Sequence, residues 1–176
     1  LRTELLLGEP TWILPQHRGR LLQIVRQLRE APFAGLHLDL EPNMLDDSPA
    51  GTARLLPEFL ETLRAVKAVS PWPVDPNAQP EELARLTELG VAPTLMIYVA
   101  NPQRVVAIAR PIMARFPRLR FGVALSIEHT LDREESLFSF PEAERASRIA
   151  AVEQALAGGN FSGLALQPSL PWMAQW

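Results

Sequence analysis

The chain contains no cysteine among its 176 residues. That excludes a disulfide framework, a thiol nucleophile and a zinc–thiolate site, and it leaves the compartment open. Positive charge is not in excess: 17 Lys and Arg stand against 20 Asp and Glu, for a formal net charge of −3. No basic block or RNA-binding motif is present either, so no nucleic-acid partner is expected. No apolar run approaches the ~18 residues that span a bilayer, so no membrane span is expected. Lysine is almost missing: Lys67 stands alone among basic residues that are otherwise arginine, a mark of codon usage. Neither GxGxxG nor P-loop spacing occurs, and no cofactor is expected. Ser126 and Ser136 lie outside any G-x-S-x-G, which argues against a serine hydrolase.

What is present is an apolar share of 47%, in a chain long enough to bury a core as one domain over residues 1–176. The first residue is Leu1 rather than Met, and a strand-like run follows almost at once, as in a processed or excised piece of a longer chain.

Short β-type runs alternate with longer helix-period runs, the signature of βα units and a parallel sheet. Strands are expected at Glu4–Glu9, Ala34–Glu41, Pro73–Asn77, Thr94–Ala100, Arg120–Glu128 and Ser162–Gln167. Leu21, Leu22, Val25 and Leu28 make a helical stripe before the second strand, and Leu56, Phe59, Leu60, Leu63 and Val66 make another after it. Glu81–Leu89 reads as a short helix ending at Gly90. Asn101-Pro102 reads as N-cap plus N1 of a helix to about Arg115, kinked at Pro111. Pro141 opens a helix that stops at Gly158-Gly159. Asp46, Asp47 and Ser48 are expected to cap the helix that follows Glu41.

Such alternation fits a doubly wound sheet or a (β/α)₈ TIM-type barrel. The doubly wound sheet usually carries a glycine-rich turn after its first strand; here Gly8-Glu9-Pro10 follows instead. The barrel is therefore expected, seen as its last six units, strands 3 to 8. Two absent strands would expose an edge, so an upstream segment or a second chain is expected to complete it.

The second strand reads Gly35-Leu36-His37-Leu38-Asp39-Leu40-Glu41. Side chains alternate faces, so the leucines share one face while His37, Asp39 and Glu41 share the other. Three ionisable groups on a covered face are costly unless they meet one another, a metal or water. In a barrel they would point to the C-terminal mouth, where active sites sit. The other strands also end in polar groups: Glu9, then Asp75 and Asn77, then Tyr98 above Thr94 and Met96, then Ser126 and Glu128, and last Gln167.

Asp39 and Glu41 have Cβ atoms ~6.5–7 Å apart along an extended strand. Neighbouring carboxylates raise each other's proton affinity, which keeps one of them protonated near neutral pH. An acid for the leaving oxygen beside a negative charge for the developing cation is what glycoside cleavage requires. These residues resemble the family 18 glycoside hydrolases, chitinase-like barrels whose fourth strand reads D-G-x-D-x-D-x-E. Ala34–Glu41 aligns with it at Gly35, Asp39 and Glu41, and Met96-Ile97-Tyr98 matches the M-x-Y of that family's sixth strand. The chain departs from these patterns at Ala34, His37 and Val99. The resemblance implies Glu41 as general acid, with Asp39 orienting a substrate acetamido group and Tyr98 hydrogen-bonding it.

A second glycosidase scheme pairs Glu41 with Glu128, as in retaining barrel enzymes whose carboxyls stand ~5–5.5 Å apart. Glu9, His37, Asn77, Gln167, Trp12 and Trp172 are expected to line substrate subsites, the tryptophans by stacking on sugar rings. Trp72 also falls near a strand end. The expected partner is an oligosaccharide or polysaccharide. Two other classes stay open: a non-catalytic barrel binding a glycan or a partner, and a divalent-metal hydrolase or isomerase using His37, Asp39, Glu41, Glu128 and His129.

Overall fold

The structure, a computed structural model, describes residues 2–78 and 80–167. Six strands alternate with five helices in the order the sequence predicts. They are β1 (Leu5–Leu7), α1 (Pro15–Gln27), β2 (Leu36–Leu38), α2 (Pro49–Val69), β3 (Val74–Pro76), α3 (Pro80–Leu86), β4 (Thr94–Met96), α4 (Pro102–Arg115), β5 (Phe121–Ser126), α5 (Glu142–Leu156) and β6 (Phe161–Gln167). Short 3-10 turns at Pro10–Ile13 and Pro42–Met44 follow β1 and β2.

The strands do not close a barrel, and the TIM-type expectation is corrected here. The chain falls into two compact units, Leu1–Pro93 and Thr94–Trp176. Among the described residues each holds its own three-stranded parallel sheet, ordered β1-β2-β3 and β4-β5-β6. β3 is the last strand of the first sheet, and its backbone suits an edge. Leu36 N donates to Pro73 O, and Asn77 N donates to Leu38 O, so odd-numbered residues of β3 face β2. Val74 and Pro76 therefore turn their main-chain groups to the other edge, and Pro76 has no N–H to offer a fourth strand there.

Within the first unit, α1 packs on α2. Parallel strands in consecutive order, joined by right-handed crossovers, bring both helices to the same face of the sheet. That face is apolar: Leu36, Leu38 and Leu40 are fully buried, as are Leu21 and Val25 of α1 and Phe59, Leu63 and Val66 of α2. Burial of each such side chain contributes about 1.5–3 kcal/mol. A polar clasp fixes the helix pair. Arg18 donates through Nε to Thr62 Oγ1 at 2.8 Å and through Nη2 to Glu58 Oε2 at 2.8 Å. The second unit repeats the plan, with α4 packed on α5 and Val105, Ala109, Val123, Leu125 and Val152 buried.

Helix boundaries follow local chemistry. Asn101 Oδ1 accepts from Arg104 N at 3.0 Å and caps α4, which continues past Pro111. Gly158 and Gly159 adopt φ of 91° and 57° just beyond α5, a conformation that ends the helix. Helix α3 stops at Leu86, and Gly90 (φ 59°) closes the turn after it. Ser48 caps α2 by accepting from Gly51 N at 3.0 Å, while Asp46 Oδ1 accepts from the Ser48 hydroxyl at 2.6 Å.

This last arrangement needs a residue without Cβ at position 51, because a side chain there would collide with the Asp46 carboxyl. Gly51→Ala should therefore lower the melting temperature. In an Asp46→Ala background the same change should stabilise by about 1 kcal/mol, the ordinary helix gain of alanine over glycine. Thermal unfolding of the three variants checks both signs.

Candidate functional site

In the first sheet, Leu6, His37 and Asp75 are register partners on adjacent parallel strands, so their side chains share one face. The same parity carries Glu4 with Gly35, and Gly8 with Asp39 and Asn77. This face, opposite the leucines, carries Glu4, His37, Asp39, Asp75 and Asn77.

His37 anchors it. Its Nδ1 lies 2.7 Å from Asp75 Oδ2, and only 7% of the residue is exposed. Burial disfavours its charged form, but the hydrogen bond and negative charge of Asp75, helped by Asp39 and Glu4, outweigh that. The net effect lifts its pKa above the ordinary 6.5. Glu4 comes in over Gly35, where a Cβ would stand 2.8 Å from its carboxyl oxygen. Burial first, and then the charge of Asp75, raises the Glu4 pKa above its usual value. From the sequence alone Glu4 marks only the start of the first strand. Its signal was register, since it needed the next strand to show that it falls on the His37 face.

Further along, Asn77 Nδ2 donates to Asp39 Oδ1 in a short contact. Asn77 is 6% exposed, and its Oδ1 is a buried acceptor with no hydrogen-bond partner among the described residues. Gly8 makes room beside Asp39, where a Cβ would come within 3.1 Å of the Asp39 Cβ. Glu41 follows, half-buried. It occupies the N-cap position of the 3-10 turn Pro42–Met44, yet its side chain makes no capping bond. Burial, and then the charge of Asp39, raises its pKa.

Glu9 behaves differently. Its Oε1 accepts from Thr11 N at 3.0 Å and from Thr11 Oγ1 at 2.7 Å, capping the turn Pro10–Ile13 that contains half-buried Trp12. These hydrogen bonds lower the Glu9 pKa. Trp72 packs edge-on against Phe33 at a centroid separation of 5.9 Å. Trp172 lies outside the described residues.

Tyr98, Glu128 and Gln167 belong to the second unit. Tyr98 Oη donates to Gln167 Oε1 at 2.6 Å, with Met96 Sδ 3.1 Å away. The contact runs from the end of β4 to the end of β6 across β5, where small Ala124 and Ser126 leave space for it. Half-buried Glu128 follows β5, its N–H donating to Ser126 Oγ at 3.0 Å. His129 is exposed, its ring centroid 5.8 Å from that of Phe138. Among the described residues, no group of three or more His, Asp or Glu side chains is arranged to hold a metal ion. No described helix is long and apolar enough to cross a membrane.

The chain matches no family model, and no curated protein matches it.

Because the folded protein holds the His37 proton more tightly than the unfolded chain does, the pair with Asp75 stabilises the fold fully below pH 6.5. That stability is lost as pH rises through the folded-state value. Urea midpoints should fall between about pH 6 and about pH 8. Asp75→Ala should cost about 1.5–3 kcal/mol at the acidic end and flatten this dependence.

Proposed function

We propose that the polar face of the first sheet hydrolyses glycosidic bonds in an oligosaccharide or polysaccharide, with Glu41 as general acid. The observation that carries this reading is the state of Glu41. It is a half-buried carboxyl at the carboxyl end of β2, committed to no cap, and its proton affinity is raised by burial and by Asp39. Such an environment favours the protonated acid over an ordinary carboxylate, which is the direction that protonating an alcohol leaving group requires.

In this scheme Glu41 delivers its proton to the glycosidic oxygen as the bond from that oxygen to the anomeric carbon breaks. Asp39 offsets the positive charge that develops on the sugar ring. Water then adds to the anomeric carbon and returns a proton to the Glu41 carboxylate. Asn77 serves twice, since its amide nitrogen fixes the Asp39 carboxyl and its unpartnered Oδ1 can accept from a sugar hydroxyl. His37 and Asp75 form the floor of the face and hold β2 and β3 in register.

The test is leaving-group dependence. Glu41→Gln should slow cleavage of natural or alkyl glycosides by about 10²–10⁴-fold. It should slow dinitrophenyl glycosides far less, since their leaving group departs without a proton. Asp39→Asn should slow both substrate classes. A folded wild-type protein that binds oligosaccharide without consuming it overturns the proposal, and so does an undiminished rate in Glu41→Gln.

A further inference from the structure

The second unit has an open-sided cavity of about 500 Å³ at the start of α4, beside the loop that leads from β5 to α5, with Asn101, Arg104, Arg133 and Glu134 exposed to solvent. Its walls include Asn101, Arg104, Arg133, Glu134, Phe140 and Arg148. Three arginines and one glutamate give it an excess of positive charge.

The arginines are not equivalent. Arg148 is built in: it donates through Nε and Nη2 to Glu144 Oε1 at 3.1 and 2.7 Å, and through Nη1 to Ala100 O at 2.9 Å. Its guanidinium carbon stands 3.9 Å from the centroid of buried Phe140. Arg133 stacks on that same ring at 4.7 Å. Neither Arg133 nor Arg104 has a carboxylate within ion-pair distance among the described residues, although Asp132, Glu134 and Glu135 neighbour Arg133 in sequence.

Arg104 is misplaced for helix stability. It lies in the first turn of α4, a 14-residue helix whose first turn carries no acid, and a cation there opposes the helix dipole. A bound anion beside it would offset that charge. Arg133 and Arg148 share the Phe140 ring, and of the two only Arg148 has a carboxylate partner among the described residues, Glu144. Planar guanidinium forks suit the paired oxygens of phosphate or carboxylate. The cavity volume suits a small molecule.

We infer that this cavity binds a small oxyanionic ligand, a molecule bearing a phosphate or carboxylate group, held by Arg104 and Arg133 beside the fixed Arg148. Glu134 supplies an acceptor for a hydroxyl on the same ligand. The site lies wholly within the second unit and is independent of the glycosidase reading.

The experiment is calorimetric titration of the full chain with inorganic phosphate and, separately, with succinate, at constant ionic strength held by chloride. Saturable binding of either probe is expected, and the tighter one names the source of the oxyanion. Arg104→Gln and Arg133→Gln should each weaken it about tenfold, the loss of one charge-assisted contact. Arg148→Lys keeps the charge but loses the fork, and should weaken binding while circular dichroism reports the fold. Heats for both probes that match chloride alone overturn the inference, as does saturable binding that Arg104→Gln and Arg133→Gln leave unchanged.

Discussion

The alignment of β2 between its two neighbours is the constraint on which the first unit depends. Its side chains alternate, so one register decides at once which groups meet the helices and which meet one another. With Leu36 and Leu38 beside Leu5, Leu7, Val74 and Pro76, the apolar set lies under α1 and α2. The same register sets His37 beside Asp75 and Asp39 beside Asn77. A slip by one residue would bury the ionisable groups under the helices and expose the leucines. Hydrophobic burial therefore enforces the position of the polar groups, which need no separate device to assemble.

Both units obey one rule. Consecutive parallel strands with right-handed crossovers cover a single face, so each sheet keeps a second face whose composition is free to vary. The first unit fills that face with carboxyls, imidazole and amide. The second lines it with Thr94, Gly122, Ala124 and Ser126 and spans it with the Tyr98–Gln167 contact. Gly163 serves this second sheet directly: a register shift beside Phe121 leaves it at φ 141°, a conformation that side-chain-bearing residues rarely adopt. The arginine cavity belongs to a different part of that unit, where a helix start and a loop meet.

Much of the fold was legible because the signals were local. Hydrophobic period gave the order of six strands and five helices, and Ser48, Asn101 and Gly158-Gly159 marked helix ends through capping chemistry. The division of β2 into a leucine face and a His37-Asp39-Glu41 face followed from alternation alone. Closure was not legible by that route, since βα alternation is common to barrels and open sheets. Pro76 fits the edge of the first sheet, but its missing N–H carries meaning only once its direction is known. The site shows the same limit. Asp39, Glu41 and Asn77 could be grouped from their own strands, whereas Glu4 required the register to β2. Glu9 shows the converse, because an acid at a strand end can spend its oxygens on the next turn.

The outer edge of β3 has a further consequence, for how the folded chain treats other chains. A bare parallel edge recruits extended segments through its row of donors and acceptors, which is the route to sheet-mediated aggregation. On this strand Val74 alone contributes an outward N–H, because Pro76 has none. An incoming segment would find a ladder with a rung removed. Within the first unit, that proline thus makes the edge a poorer template for a further strand.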